Sequence, residues 1–403
     1  MRQQNKRSMI GWIFLCCWMT YLTAYLCRVN FSSAMHAITE QRGLSAELLG
    51  IVGAVFYGVY ACGQLINGYI GDRVRADRFI LIALLGTMAC NLRMAQAHTL
   101  GAMIFLWGLN GVFQSMFWST IIRVLAQNIP DNRRAAISSG ISLAMPVAYM
   151  VSWGLLGRCL DGAKVQWYFL LPAIVCVPLA GAWLILSRKL SFESSPGKKN
   201  RSIPETVRFL RAERLLWVVP ACLLHGLVKE GVAYWTPMLI AGMDDLAGWS
   251  PFLLASILPA ANLVGIVLSR ILLKRGAKNP YPILIALLSS IVLVCVLLLV
   301  CRAGLFLIAM MAVISGLCYA GNTILLGFIP MGYTKQNMVA SIIGVFDFSA
   351  YAGAAVSTYV LGKVLGGVGF APLPAIWLGA AAMAAVLLCV VNGKRKKQSL
   401  GVG

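Results

Sequence analysis

A bundle of twelve membrane-crossing helices, an all-α membrane protein in two groups of six, is the fold this sequence predicts. Three observations predict it: the apolarity of the chain, the regular spacing of its apolar runs, and the placement of its basic residues. Of 403 residues, 60% are hydrophobic and only 12% are charged, with a mean hydropathy of +0.80. A soluble domain is roughly one quarter charged, so a chain with half that share must put much of its surface in lipid. Disorder, a secreted disulfide scaffold and a cytosolic enzyme are excluded by the same figures. About 20 helical residues cross the hydrocarbon, so a chain of this length has room for a dozen crossings and their loops.

The apolar runs fall, in order, near 10–38, 47–71, 79–97, 101–127, 135–157, 165–187, 214–241, 250–273, 281–301, 303–330, 338–362 and 371–391. With the N-terminus inside, 26 of the 34 Lys and Arg lie in cytoplasmic segments and five in outside loops: Arg42, Arg158, Lys164, Arg302 and Lys363. That asymmetry places both termini in the cytoplasm of a multi-pass cell-membrane protein. The longest polar stretch, near 188–213, separates residues 1–187 from 214–403 and reads as a central cytoplasmic linker. Two six-helix halves joined in this way suggest a parallel repeat, with a substrate site near the midplane where the halves meet. The leading MRQQNKR runs into an apolar stretch too long for a cleaved signal, so the first helix is expected to do the targeting.

The net charge of +21 does not point to nucleic acid, because the basic residues cluster between apolar runs and are not interleaved with exposed aromatics. The twelve cysteines form no CxxC pair and sit almost entirely in apolar segments, where they serve as small hydrophobes. No metal-ligand cluster, phosphate loop or nucleophile with an adjacent base is evident, so no metal, cofactor or enzymatic activity is expected.

Three basic residues remain once the cytoplasmic and outside ones are counted: Arg28, Arg93 and Lys229. A charge near the bilayer centre costs several kcal/mol, so each needs protein, water or a partner around it. Arg93 lies at the end of its run and can snorkel. Arg28 and Lys229 occupy comparable positions in the first helix of each half, which would face them toward one another. Tyr21, Tyr25, Arg28 and Ser32 follow one another at steps of four, three and four and share a helix face. His225, Lys229 and Thr236 share another. Two convergent cations with phenol hydroxyls suit a doubly charged anion, the guanidinium gripping oxygens in pairs and the ammonium acting as a point charge.

The rival reading is an internal salt bridge to an intramembrane acid, either Glu230 or Asp347. Glu230 comes directly after Lys229 and so points about 100° away on a helix, which argues against a direct pair. Asp347 shares a face with Tyr351, Ala354 and Thr358; it could hold one of the cations until substrate displaces it, carry a proton, or make a polar packing contact. Gln64 and the mid-span Trp118 are candidates to line the cavity.

At these residues the chain resembles the major facilitator superfamily, and within it the organophosphate:phosphate antiporter family of glycerol-phosphate and hexose-phosphate transporters and a related sugar-phosphate sensor. The blocks that carry the resemblance are YLTAYLCRVNFSSAM, FYGVYACGQLINGYIGDR, FWSTIIRVLAQNIPDNRR, KEGVAYWTPML and VFDFSAYAGAA. The resemblance implies that Tyr21, Tyr25 and Arg28 bind substrate, that the second substrate-binding cation falls on Lys229, and that an eleventh-helix tyrosine falls on Tyr351. Gly68, Asp72 and Arg73 match the superfamily's loop motif, in which Asp72 would pair with a cytoplasmic arginine, here Arg134, to close the inner gate. The best-known phosphate-ester transporters carry three further cavity cations, whose places are taken here by Val29, Gln64 and Met145.

The implied activity is exchange of a phosphate ester for phosphate by alternating access, performed by a monomer. Two alternatives stand beside it: proton-coupled transport of an organic carboxylate or other small solute, and a ligand-binding sensor without flux.

Overall fold

The computed structural model describes residues 2–71, 74–128, 140–189, 203–243, 249–276, 279–301, 304–333, 336 and 338–399, and all regular elements among them are helical. Six helical rods precede the linker: α1 (Arg2–Arg42), α2 (Ala46–Gly71), α3 (Ala76–Met94), α4 (Leu100–Gln114, continued by Phe117–Asn128), α5 (Ala144–Tyr149, continued through Met150–Leu156 and Gly157–Cys159) and α6 (Gln166–Lys189). A short helix, Ile203–Ala212, lies in the linker. Six rods come after it: α7 (Val218–Ala241), α8 (Pro251–Ala255 and Ile257–Gly276), α9 (Tyr281–Val300), α10 (Gly304–Asn322, continued by Thr323–Phe328 and Ile329–Met331), α11 (Val339–Val368) and α12 (Leu373–Ser399).

Ten of these rods are long and apolar enough to cross a membrane. The other two are α3, which carries Asp77, Arg78 and Arg93, and α11, which carries Asp347 and Lys363. The twelve expected crossings thus correspond to twelve rods. Large apolar side chains such as Phe105, Val264, Leu293 and Val386 stand exposed along them, the surface a bilayer would cover.

Local chemistry sets several helix ends. Thr99 accepts from the Ala102 amide with its hydroxyl and caps α4. Gly43, at φ +67°, donates to the Thr39 carbonyl and ends α1 in the left-handed conformation that glycine adopts without penalty.

The chain packs as two compact units. Met1–Leu44 and Cys62–Lys198 form one; Ser45–Ala61 and Lys199–Gly403 form the other. The first half of α2 therefore belongs with the second unit. The first unit's core joins Ile13, Cys17 and Cys27 of α1 to Ile80 and Leu84 of α3, Phe117 and Ile121 of α4, and Trp183 of α6. In the second unit α7 and α11 approach backbone to backbone. A Cβ added at Gly226 would run into the Ala350 carbonyl, and one at Gly353 into the Leu223 carbonyl.

Candidate functional site

In the first unit the candidate residues lie on one face of α1. Tyr25 and Arg28 are buried, and the Arg28 guanidinium lies 5.2 Å from the Tyr25 ring centroid, a cation–π distance. Tyr21 meets Tyr25 edge-on at 5.0 Å, and Trp118 of α4 lies 5.1 Å from Tyr21. Tyr149 of α5 extends the cluster, 6.1 Å from Tyr25 and 4.8 Å from Trp153. Trp153 in turn donates its indole N–H to the Ser32 hydroxyl at 3.1 Å.

Neighbouring amides fix this stretch of α1 from behind. Gln114 donates to the Ala24 carbonyl at 2.9 Å, while Asn110 and Asn91 both donate to the Cys27 carbonyl, at 3.1 and 3.3 Å. Amide side chains bonding across helices are the glue available in lipid, and here they set the rotation of the helix that presents Arg28. Trp118 joins the Tyr21, Tyr25 and Arg28 face directly. Gln64 is buried on the second half of α2.

The second unit builds a different environment. Lys229, Glu230 and His225 are all buried on α7. The Lys229 ammonium pairs with Glu230 Oε1 at 2.9 Å and reaches Asn322 Oδ1 of α10 at 3.5 Å. It also faces the rings of Tyr319 and Tyr351, at 5.5 and 5.7 Å. The second carboxylate oxygen of Glu230 accepts the Tyr57 hydroxyl at 3.0 Å. His225 lies one turn before Lys229 and packs against the α10 backbone, where a Cβ at Gly321 would stand 3.1 Å from its ring. Asp347 is half-buried on α11, one turn before Tyr351.

The Lys229–Glu230 contact corrects one expectation. The divergence of adjacent helix positions argued against that pair, yet the two side chains touch. A helical wheel treats side chains as radial spokes. Lysine's four-carbon stem and glutamate's two methylenes are long enough to curl around the helix and meet, and burial rewards them for doing so.

Tyr57 and Tyr319 carried no sequence signal of a role; their place depends on which helices meet. Asn322 stands at the start of the wider helical turn Thr323–Phe328, an irregularity often found at functional sites.

The loop after α2 is partly described. Gly68 lies in the last turns of α2, whereas Asp72, Arg73 and Arg134 lie outside the described residues. In the described part of the loop, Arg75 grips Asp77 with two hydrogen bonds, at 3.2 and 2.8 Å, and that carboxylate raises the guanidinium pKa above its usual value. Arg123 of α4 donates to the Val74 carbonyl at 2.8 Å. Among the described residues no group of three or more His, Cys, Asp or Glu could hold a metal ion.

The profile of the Major Facilitator Superfamily matches residues 17–358. The chain belongs to that superfamily. A probable hexose phosphate transport protein of Chlamydia trachomatis serovar D is 22% identical over 394 residues, covering 87% of this chain and 84% of its own. The hexose-6-phosphate:phosphate antiporter of Escherichia coli K12 is 29% identical over 126 residues, 30% of this chain and 27% of its own. These relatives support placement in the organophosphate:phosphate antiporter family. The crystal structure of a peptide transporter, POT, in complex with sulfate aligns over 96% of this chain and 94% of that one, with a TM-score of 0.77 at 13% identity. At that identity the likeness shows the fold. The protein is a multi-pass membrane protein of a transporter superfamily.

Proposed function

We propose that the protein is a secondary transporter that exchanges a sugar phosphate or glycerol phosphate for inorganic phosphate across the cell membrane. The observation that carries this reading is the placement of two buried cations over tyrosine rings: Arg28 over Tyr25, and Lys229 over Tyr319 and Tyr351. Relatives named for hexose phosphate transport and for exchange with phosphate support it.

In this reading the anion binds both cations, and Tyr21, Tyr25, Tyr351, Trp118, Gln64 and His225 contribute to the site. A guanidinium takes phosphate oxygens in pairs, and the lysine adds a point charge. The same ligand binds from either side, which is what alternating access requires. Residues 1–187 and 214–403 form the two bundles, the 188–213 linker and both termini lie in the cytoplasm, and the carrier works as a monomer. Gly68, Asp72, Arg73 and Arg134 close the cytoplasmic side.

A second reading is favoured by one observation, the buried carboxylate against Lys229. An acid that neutralises a cavity cation lets an empty carrier return, which suits proton-coupled uptake of a phosphate ester or an organic carboxylate.

Counterflow in proteoliposomes tests both. Vesicles loaded with phosphate should take up labelled glucose 6-phosphate or glycerol 3-phosphate, with uptake abolished by Arg28→Ala and by Lys229→Ala. Uptake that requires an imposed proton gradient, and proceeds without internal phosphate, would establish the second reading. Saturable binding with no flux under either condition would identify a sensor.

A further inference from the structure

Resting on the anion-binding reading, we infer that Glu230 is a displaceable counter-ion for Lys229, and that Tyr57 transmits its displacement to the first half of α2. The carboxylate of Glu230 is divided between two tasks. One oxygen holds the Lys229 ammonium at 2.9 Å; the other holds the Tyr57 hydroxyl at 3.0 Å. A single charged group therefore joins the cargo-binding cation to the first half of α2.

Other attachments of that half-helix run to α7 and α11. Tyr234 of α7 donates to the Leu49 carbonyl at 3.0 Å. Gly50 lies so close to α11 that an added Cβ would stand 2.6 Å from the Thr358 carbonyl and 3.1 Å from the Gly362 Cα. Tyr57 stacks on Tyr351 at 6.1 Å, and Tyr60 meets the same ring edge-on at 4.5 Å. Tyr351 also faces Lys229. An anion that takes over Lys229 thus arrives against both groups, Glu230 and Tyr351, that hold Tyr57.

Electrostatics decides the response of the carboxylate. A buried ion pair persists because each charge compensates the other's lost hydration. A phosphate dianion brings more charge and more acceptor oxygens to the ammonium than a carboxylate does. Once it is bound, two anions lie side by side in a low-dielectric site, which disfavours leaving both ionised and in place. The Glu230 side chain moves off the lysine, its geometry toward Tyr57 is lost, and the first half of α2 loosens from α7 and α11. Occupancy of the cargo site is thereby converted into release of one helix segment.

Cysteine cross-linking reads that release. A Cβ at Gly58 would lie 4.0 Å from the Ala355 Cβ, within the spacing that a disulfide bridges. In the otherwise intact chain, Gly58→Cys with Ala355→Cys should cross-link rapidly under copper phenanthroline, read as the joined peptide by mass spectrometry. Glucose 6-phosphate should slow that reaction about tenfold, which, from a resting state latched about nine times in ten, takes a roughly hundredfold preference for the released form. In the Glu230→Gln and Tyr57→Phe backgrounds the sugar phosphate should still bind, by equilibrium titration, but leave the cross-linking rate unchanged. Binding in the parent without any change in cross-linking overturns the latch, as does equal slowing in Glu230→Gln. Failure of glucose 6-phosphate, glycerol 3-phosphate and phosphate to bind the parent at all overturns the anion-binding reading itself, and the latch with it.

Discussion

Arg28 on α1 and Lys229 on α7 are both buried, but their surroundings differ. Arg28 lies over the Tyr25 ring on a helix held by neutral amides. Lys229 lies against a carboxylate, with Asn322 and two tyrosine rings completing its shell and Asp347 on the neighbouring α11. The difference teaches that the two cations do different work. An arginine backed by dipoles and π-faces presents a fixed charge. A lysine with a resident acid presents a charge that becomes available when something displaces the acid.

The largest effect that would break this comparison concerns transport. Arg28→Lys keeps the charge but loses the paired donors, and counterflow should fall about a hundredfold, in the range for truncating a buried hydrogen-bonded charge. Lys229→Arg, with its charge retained and a fork added, should keep a substantial fraction. Equal losses in the two would erase the distinction.

Next in size is a stability effect confined to the second unit. Lys229→Ala strands Glu230 as a buried anion and should cost about 3–5 kcal/mol, seen as a lowered unfolding midpoint in detergent. Lys229→Met combined with Glu230→Gln should recover most of that loss without restoring transport. If the single and double variants melt together, the ion pair contributes nothing to the fold.

Packing sharpens the comparison further. At Gly226 a methyl group meets backbone, the Ala350 carbonyl, whereas at Gly86 it meets the Phe113 ring, which can turn aside. Gly226→Ala should therefore destabilise by about 1–3 kcal/mol, as overpacking does, and Gly86→Ala by less, in parallel thermal melts. The smallest effect belongs to the glue behind α1. Asn110→Leu removes its hydrogen bond to the Cys27 carbonyl and should cost about 1 kcal/mol, the scale for one interhelical bond in a membrane protein.

Much of this architecture is readable from residue order because lipid allows few solutions. Runs of apolar residues must be helices, and basic residues between them set their direction. The α1 face was readable for a related reason: Tyr21, Tyr25 and Arg28 lie within two turns of one helix, and helical spacing alone gathers them. The partner of Lys229 was misread because spacing fixes where side chains start and not where long ones end. Tyr57 was unreadable for a third reason. Its contact with Glu230 joins positions 173 residues apart, and nothing local in FYGVY announces which helices the first half of α2 will lie against.

The most direct test of the proposed function, that buried cations bind a phosphate ester, is equilibrium titration of glucose 6-phosphate into the purified parent, Arg28→Ala, and Lys229→Met with Glu230→Gln. Affinity should fall about a hundredfold or more in each variant, as loss of a charge-assisted contact to a desolvated anion requires. A dissociation constant unchanged in either would contradict the account.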